Sequence, residues 1–300
     1  MKTFLNILKY FISIFLLYLV LKDHGKNFLK IIQLIEYKYL LLIILLSIFQ
    51  YIISAYRWAY ISRFSNLNIS FSYSLKFYYI SSFLNNILPG GVVGDIYRIY
   101  HSSEKKAFFE LGKSFQSVFF ERLSGQVVLF ITFIISLTIY FFINEKYTAF
   151  MYLFLLVFFS FLILKILFGK RIKNFISNNI MGKNFYLIFS GPIFWNHIFY
   201  SFLVVITYIL IYIISALSLN LTIDYFAFFV FSPIILFSMT LPISIGGWGV
   251  REGTALLVSF LLGLSASASI SVSIIYGLLN LICSIPGLFL IFLSFKKSRV

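Results

Sequence analysis

Charged residues are scarce in this chain. They make up 11% of its 300 residues, whereas hydrophobic residues make up 61%, and the mean hydropathy is +0.99. A soluble domain carries about 25% charged residues, and so few charges cannot cover a surface that faces water. The apolar runs also continue without a polar block long enough for a soluble module. The composition therefore predicts a single membrane domain over residues 1–300 and no soluble catalytic domain.

Cysteine and histidine are also rare. Cys283 is the only cysteine, which excludes an intrachain disulfide and a cysteine metal cluster. Ser124 and Ser244 lie near glycines, but no histidine is placed to activate either one. None of the histidines lies at metal-ligand spacing with a carboxylate: His24, His101 and His197. We expect no enzyme activity, no metal and no cofactor, with an intramembrane enzyme as an alternative.

Apolar runs long enough to cross a bilayer recur along the chain. A spanning helix needs about 20 residues, so the pattern predicts an all-α polytopic bundle of about seven spanning helices. The polar stretch Lys22–Lys26 follows the first run in place of a cleavage site, which favours a retained first helix. The predicted spans are Tyr10–Leu21 (extended back to Phe4), Tyr39–Tyr56, Ser124–Ile143, Thr148–Phe168, His197–Leu219, Thr254–Ala268 and Ser271–Phe295.

The net charge of +15 does not indicate nucleic acid, because the basic residues lie in short connections beside apolar spans. Such residues contact lipid headgroups and set orientation. A cytoplasmic N-terminus places most of the 24 basic residues inside. We therefore expect a multi-pass protein of the cell membrane with both termini cytoplasmic. The exceptions, which lie outside, are Lys22, Lys26, Lys30, Lys38 and Lys146.

Two apolar stretches, Phe71–Gly94 and Tyr225–Leu262, are interrupted by proline and glycine. Each contains Leu-Pro, then a glycine cluster, then an acid and an arginine, and the two are about half the chain apart. Paired interruptions of this kind point to a transporter's binding site, and they predict one or two re-entrant segments within a weak two-half pseudo-repeat. The residues that break the helices are Pro89, Gly90, Pro242 and Gly246.

Backbone hydrogen bonding restricts where such interruptions can lie in a membrane protein. Lipid cannot satisfy a free N–H group, so a broken helix survives only where protein or trapped water covers it. The helix that restarts presents a positive dipole end, which suits an anion. The alternative is that proline and glycine merely kink ordinary spans. On the functional interpretation, the backbone approaches the ligand at Gly91, Gly94, Gly247 and Gly249.

Ionisable residues accompany both interruptions. Asp95 and Arg98 stand three residues apart, close enough to pair on one helical face. Arg251 and Glu252 are adjacent, and we expect each to find its partner elsewhere. The pair Glu121 and Arg122 opens the Ser124–Ile143 span in the same way. Charges inside a membrane are usually paired and functional, although all of them would be structural if they only reach the headgroup level.

Three blocks of sequence resemble the lysylphosphatidylglycerol synthase transmembrane family, flippase-like integral membrane proteins of bacteria and archaea. They occur in the family's order, and the similarity covers nearly the whole chain. The blocks are Asn85-Asn86-Ile87-Leu88-Pro89-Gly90-Gly91-Val92-Val93-Gly94-Asp95-Ile96-Tyr97-Arg98, Glu121-Arg122, and Leu241-Pro242-Ile243-Ser244-Ile245-Gly246-Gly247-Trp248-Gly249-Val250-Arg251-Glu252-Gly253.

The resemblance implies a membrane domain that moves or binds an anionic phospholipid or a polyprenyl-phosphate-linked glycan. Because the chain stops at Val300, just after its last span, we do not expect the lysyl-transfer activity of the two-part synthases. In the leading hypothesis Arg98 and Arg251, assisted by Arg122, bind the headgroup phosphate. Asp95, Glu252 and Glu121 hold those arginines. The alternative is a non-transporting subunit that anchors or regulates an envelope glycosyltransferase.

Overall fold

The computed structural model describes residues 35–103, 108–143 and 194–297, together with Tyr18 and Gln33. Within these ranges the regular structure is α-helical, as the composition predicted. The helices, numbered here in chain order, are α1 (Tyr37–Phe64), α2 (Phe71–Ile87), α3 (Val93–Ser102), α4 (Phe108–Ile143), α5 (Phe194–Leu217), α6 (Tyr225–Ser238), α7 (Val250–Leu257), α8 (Ala266–Ser284) and α9 (Pro286–Lys297).

Helix starts follow local sequence rules. Ser70 accepts a hydrogen bond from the backbone N–H of Tyr73 at the start of α2, and Ser265 does the same for Ala268 in α8. A side-chain oxygen in this position satisfies an N–H group that the first helical turn leaves without a partner. At the other end of α2, the helix stops at the residues before Pro89, because a residue that precedes proline disfavours the helical conformation.

Four helices in the described ranges are long and apolar enough to cross a membrane: Tyr37–Phe64, Leu111–Ile143, Phe194–Leu217 and Ala266–Ser294, the last formed by α8 and α9. Large apolar side chains such as Leu45 and Phe130 are exposed on their outer faces, whereas Tyr212 and Phe228 are buried in the core. An apolar outer face around a packed interior is the arrangement that lipid requires. The chain is therefore a multi-pass membrane protein.

Most predicted spans in the described ranges are confirmed with shifted ends. The Tyr39–Tyr56 span continues to Phe64, and the Ser124–Ile143 span begins earlier, at Phe108. The predicted span Thr254–Ala268 is wrong, because α7 stops at Leu257 and a non-helical connection leads to α8. Gly263 in that connection has a φ of +67°. The predicted spans Tyr10–Leu21 (apart from Tyr18) and Thr148–Phe168 lie outside the described residues.

Two helix–break–helix units lie within the described ranges. The first joins α2 to α3 through residues 88–92, here called the first break, and the second joins α6 to α7 through residues 239–249, the second break. In each unit the two helices pack on each other, and the short helix also packs on the long one that follows, α4 or α8. Helix α1 packs on α2, α4 and α5. Helix α8 also packs on α1, α2 and α5.

Candidate functional site

The two breaks are in direct contact. Pro89 and Ile245 form an isolated antiparallel bridge, and the N–H of Gly90 donates to the carbonyl oxygen of Ser244 over 3.2 Å. Gly246 adopts a φ of +53°, and a Cβ added there would stand 2.7 Å from the carbonyl oxygen of Asn86. The close approach therefore requires glycine. Each interrupted backbone satisfies part of its hydrogen bonding from the other, so neither break is an isolated kink.

Each short helix that follows a break carries an acid in its first turn: Asp95 in α3 and Glu252 in α7. A carboxylate is favoured at this end of a helix because the free N–H groups and the helix dipole are positive there. In α7 the Glu252 Oε2 accepts a 2.6 Å hydrogen bond from the N–H of Gly249. The two acids are thus placed by the same local rule, but they have different surroundings.

Arg98 links the first break to α4. Its Nη2 lies 3.1 Å from Asp95 Oδ1 and 3.0 Å from Glu121 Oε2. The predicted pairing of Asp95 with Arg98 is therefore confirmed. The Arg98 side chain is 1% exposed, and its guanidinium lies over the rings of Trp58 and Tyr78, 4.5 and 5.0 Å from their centroids. Such cation–π contacts stabilise a desolvated arginine.

Arg57 belongs to the same cluster and was missed as a site residue by the sequence interpretation. It forms an ion pair with Glu121 and donates to Ser201 Oγ on α5 over 3.1 Å. The sequence interpretation ended the span at Tyr56 and assigned Arg57 to a cytoplasmic connection, whereas α1 continues past it. An arginine directly after an apolar run was the available signal, because intramembrane charges are functional candidates by default.

Arg122 differs from the other two arginines of this cluster in its accessibility. Its Nη2 pairs with Asp95 Oδ2 at 2.6 Å, yet 42% of its side chain is exposed. Arg98 and Arg57, by contrast, are 1% and 3% exposed. Glu121 is fully buried and paired with Arg57 and Arg98, so its side chain does not reach out toward lipid headgroups. Three arginines and two carboxylates form this cluster, which therefore has one net positive charge. We call it the first ion cluster: Arg57, Arg98, Arg122, Asp95 and Glu121.

Hydrogen bonds fix the carboxylates of the first ion cluster. Asp95 accepts from Ser81 Oγ at 3.2 Å and from Asn85 Nδ2 at 3.4 Å, and the phenol of Tyr78 donates to Glu121 over 3.4 Å. The Asn85 Oδ1 in turn accepts from the N–H of Gly94 at 2.7 Å. A Cβ at Gly94 would overlap the carbonyl group of Ser81, so glycine is what lets α3 pack this closely on α2.

A cavity of about 180 Å³ opens beside the first ion cluster. The three arginines line it together with both carboxylates, and so do Gly91 and Gly246 from the two breaks. Uncharged polar side chains add to the lining, among them Gln50, Asn86, Gln126, Tyr208 and Asn280, and apolar side chains such as Leu129, Val204 and Val205 complete it. The structure thus places a net positive group, a set of amides and the meeting point of the breaks around one cavity.

Arg251 and Glu252 form a separate cluster, here called the second ion cluster. Arg251 Nη2 lies 2.5 Å from Glu252 Oε1, so the expectation that the two adjacent residues pair elsewhere is wrong. Ser273 bridges them, accepting from Arg251 Nε at 3.1 Å and donating to Glu252 at 3.2 Å. The guanidinium also faces the rings of Trp248 and Tyr276.

The second ion cluster is sealed. Arg251 is 1% exposed and Glu252 is fully buried, and neither lines the cavity. A Cβ at Gly277 would overlap the Arg251 guanidinium, which shows how tightly α8 covers it. The remaining predicted glycines, Gly247 and Gly249, shape the second break through φ values of +83° and +82°.

The structure therefore divides the predicted site into two groups. Around the cavity it places Arg98, Arg122, Asp95, Glu121 and Gly91, and in the sealed region it places Arg251 and Glu252. Pro89 and Gly90 lie where the breaks touch, and Pro242 is exposed in the second break. Whether these residues bind a substrate stays a prediction.

Comparison with known proteins gives the family. Searches of curated proteins and of solved structures gave no match. The family model described as the lysylphosphatidylglycerol synthase TM region matches residues 6–287, a stretch that contains both breaks and both ion clusters. The resemblance inferred from the three sequence blocks is thereby confirmed, and the chain belongs to the lysylphosphatidylglycerol synthase TM region family.

Proposed function

We propose that the chain binds the headgroup of an anionic phospholipid or of a polyprenyl-phosphate-linked glycan in the cavity and moves it across the cell membrane. The observation that carries this proposal is the Arg122 side chain, which is 42% exposed and lines the cavity on a cluster with one net positive charge. A planar guanidinium matches the geometry of phosphate oxygens and binds them bidentately. The acyl or prenyl tails stay in lipid.

The other charged residues of the first ion cluster either orient Arg122 or add to the positive potential around it. Asp95 orients Arg122, and Glu121 holds Arg98 and Arg57 in the lining of the cavity. The buried arginines raise the local positive potential without contacting solvent, and low dielectric strengthens that effect. Arg251 is sealed in this structure, so its predicted role as a phosphate ligand requires a state in which the second break has opened.

An alternating carrier suits the architecture. In the proposed topology about seven helices span the membrane, and the two breaks are re-entrant segments of a two-half pseudo-repeat. The matching neighbours of α3 and α7 support the repeat. The contact between the breaks at Pro89 and Ile245 supports a gate, since it lies next to Gly91 and Gly246, which line the cavity. Repeats that meet at a substrate site move against each other in many transporters.

The proposed orientation places both termini in the cytoplasm, with the 144–147 and 220–224 connections outside. Single cysteines on a Cys283→Ser background test it. Asn220→Cys should react with a membrane-impermeant thiol reagent applied to intact cells, whereas Arg63→Cys should react only after permeabilisation. The reverse pattern would overturn the orientation.

The proposal assigns no catalytic role to the chain. Membrane lipids are its partners, and a glycosyltransferase that makes or consumes the lipid is a possible further one. Nucleic acid has no part in it, because the basic residues support orientation in the membrane.

Arginine-to-lysine exchange tests the headgroup site, because lysine keeps the charge but lacks the planar fork. In vesicles carrying fluorescent phosphatidylglycerol, Arg122→Lys should lower the translocation rate about tenfold, as expected for the loss of one charged hydrogen bond. Arg98→Lys should also slow it. Arg63→Lys is the matched control, since Arg63 is exposed at the end of α1 and does not line the cavity.

Wild-type rates in both the Arg122→Lys and the Arg98→Lys variants would refute the headgroup site. The anchoring alternative would then be favoured, since positive-inside orientation treats arginine and lysine alike.

A further inference from the structure

The cavity has two chemically different walls. The first ion cluster forms one polar wall, and side-chain amides contribute the other: Gln50 from α1, Gln126 from α4 and Asn280 from α8. Apolar side chains such as Leu129 and Val205 line the rest. The structure describes no hydrogen bond from another residue to any of these three amides, and Gln50 is 8% exposed. An amide carries donors and acceptors that need partners when buried. The buried amide of Gln50 therefore needs a partner from the cavity, and Gln126 and Asn280, which are partly buried, can bind the same partner.

The amide wall adjoins the phosphate ligand. Gln126 follows Arg122 by four residues on α4, so the two side chains lie one turn apart on the same helical face. The Tyr208 phenol lines the cavity from α5. A group attached to a phosphate at Arg122 therefore meets neutral donors and acceptors within the length of one headgroup.

The carboxylates of the first ion cluster do not serve as cation ligands. Glu121 Oε1 accepts from Arg57 and its Oε2 from Arg98. Asp95 Oδ1 accepts from Arg98 and its Oδ2 from Arg122. Each of the four oxygens is thus already paired with a guanidinium. A cationic aminoacyl headgroup would enter a site with one net positive charge and would find no unpaired carboxylate among the described lining residues.

The volume sets the size of the headgroup. Pockets for drug-sized ligands measure about 300–1,000 Å³, whereas this cavity holds about 180 Å³. It has room for a single ring or a short polyol. Hydroxyl groups both donate and accept, and neighbouring hydroxyls on a ring match the paired donor and acceptor of an amide.

From these observations we infer that the cavity selects a phosphoryl headgroup that carries one neutral, hydroxyl-rich group, a sugar or cyclic polyol, and discriminates against cationic headgroups. The inference rests on the proposed function and narrows its substrate class. Arg122 binds the phosphoryl oxygens, and Gln50, Gln126 and Asn280 bind the hydroxyls. Affinity comes from the charge, and selectivity comes from the amides.

The test compares three lipids with matched acyl chains on the purified full-length chain, by displacement of fluorescent phosphatidylglycerol. Phosphatidylinositol carries a neutral cyclic polyol on its phosphate, phosphatidate carries none, and lysyl-phosphatidylglycerol carries a cation. Phosphatidylinositol should bind about tenfold more tightly than phosphatidate, because two or more neutral hydrogen bonds are gained. Lysyl-phosphatidylglycerol should bind more weakly than both.

Variants of the amides and of Arg122 separate the contributions of the two walls to lipid binding. Gln50→Leu and Asn280→Leu should each reduce the preference for phosphatidylinositol over phosphatidate and leave the affinity for phosphatidate near wild type. Gln126→Leu provides a further variant, at a position that is partly buried like Asn280. Gln116→Leu is the matched control, because Gln116 lies on the same helix as Gln126 but does not line the cavity. Arg122→Gln should weaken the binding of phosphatidylinositol and of phosphatidate by a similar factor.

Three outcomes would overturn the inference. Equal affinity for phosphatidylinositol and phosphatidate would do so, as would a preference that survives all three amide variants or tightest binding of the cationic lipid. In each case binding that still depends on Arg122 would leave the proposed function standing. Anionic lipid binding that is absent, or unchanged in Arg122→Gln, would overturn the proposed function as well.

Discussion

The first and second ion clusters follow the same local pattern and have opposite surroundings. Each places an acid in the first turn of a short helix after a glycine-rich break. In the first, residues from α1, α3 and α4 leave one net positive charge and an accessible Arg122. In the second, Arg251 and Glu252 neutralise each other under α8. A charge is available to a ligand only where the packing leaves it open.

Removing one acid from each cluster should give the largest difference in stability. Glu252→Ala leaves Arg251 buried without a counter-ion, and breaking a buried pair in this way costs about 3–5 kcal/mol. Asp95→Ala should cost less, about 1.5–3 kcal/mol for lost charged hydrogen bonds, because Arg98 keeps Glu121 and Arg122 is partly exposed. Midpoints of thermal unfolding in one detergent measure both effects.

A double variant provides the control for this first comparison. Arg251→Met combined with Glu252→Leu removes both charges and should recover much of the loss, since a buried pair replaced by apolar residues is often neutral. An Asp95→Ala midpoint lower than that of Glu252→Ala would contradict the contrast between the clusters.

In each ion cluster a glycine faces an arginine. Substituting these two glycines should give the next largest difference in stability. A Cβ at Gly277 would overlap the sealed Arg251 guanidinium, whereas one at Gly125 would stand 3.3 Å from Arg57 Nη1, beside the cavity. Gly277→Ala should destabilise by about 1–3 kcal/mol through overpacking. Gly125→Ala should be nearly neutral, because alanine favours the helix by about 0.5–1 kcal/mol. Midpoints of thermal unfolding measure both effects. A Gly277→Ala midpoint equal to that of the wild type would show that the second ion cluster is not sealed.

Leucine at one glycine of each break should separate stability from binding. Gly91 has a φ of +62° but open space around it, and it lines the cavity. Gly91→Leu should therefore cost only about 1 kcal/mol of backbone strain and block lipid binding by filling the cavity. A Cβ added at Gly247 would overlap the Met239 side chain, so Gly247→Leu should lower the unfolding midpoint further than Gly91→Leu. Lipid displacement and thermal unfolding are measured on both variants, and unchanged binding in Gly91→Leu would contradict the assignment of the cavity.

The helices and breaks were predictable from the sequence because they depend on local chemistry. Apolar runs predicted the described spans to within a few residues at most ends, and proline and glycine placed both breaks. The i, i+3 spacing of Asp95 and Arg98 correctly predicted their ion pair. The span Thr254–Ala268 was wrong because an apolar run does not reveal a turn at Gly263.

The ion clusters were predicted less well because their members come from distant parts of the chain. Arg57 and Glu121 are 64 residues apart in sequence, and no local pattern joins them. Sequence reasoning ranked Arg98 and Arg251 above Arg122 as phosphate ligands, since it judged them by their neighbouring glycines. Exposure reverses that order, as only Arg122 of the three has an accessible side chain.

The sequence by itself determined the membrane environment, the helices, the breaks and the family, because hydropathy, backbone hydrogen bonding and glycine chemistry act over a few residues. Only the tertiary structure decided that the two breaks touch at Pro89 and Ile245, and that one ion cluster opens to a cavity while the other is closed. Those outcomes depend on which helices pack around each charge. The desolvation of a charge is therefore a property of the whole bundle.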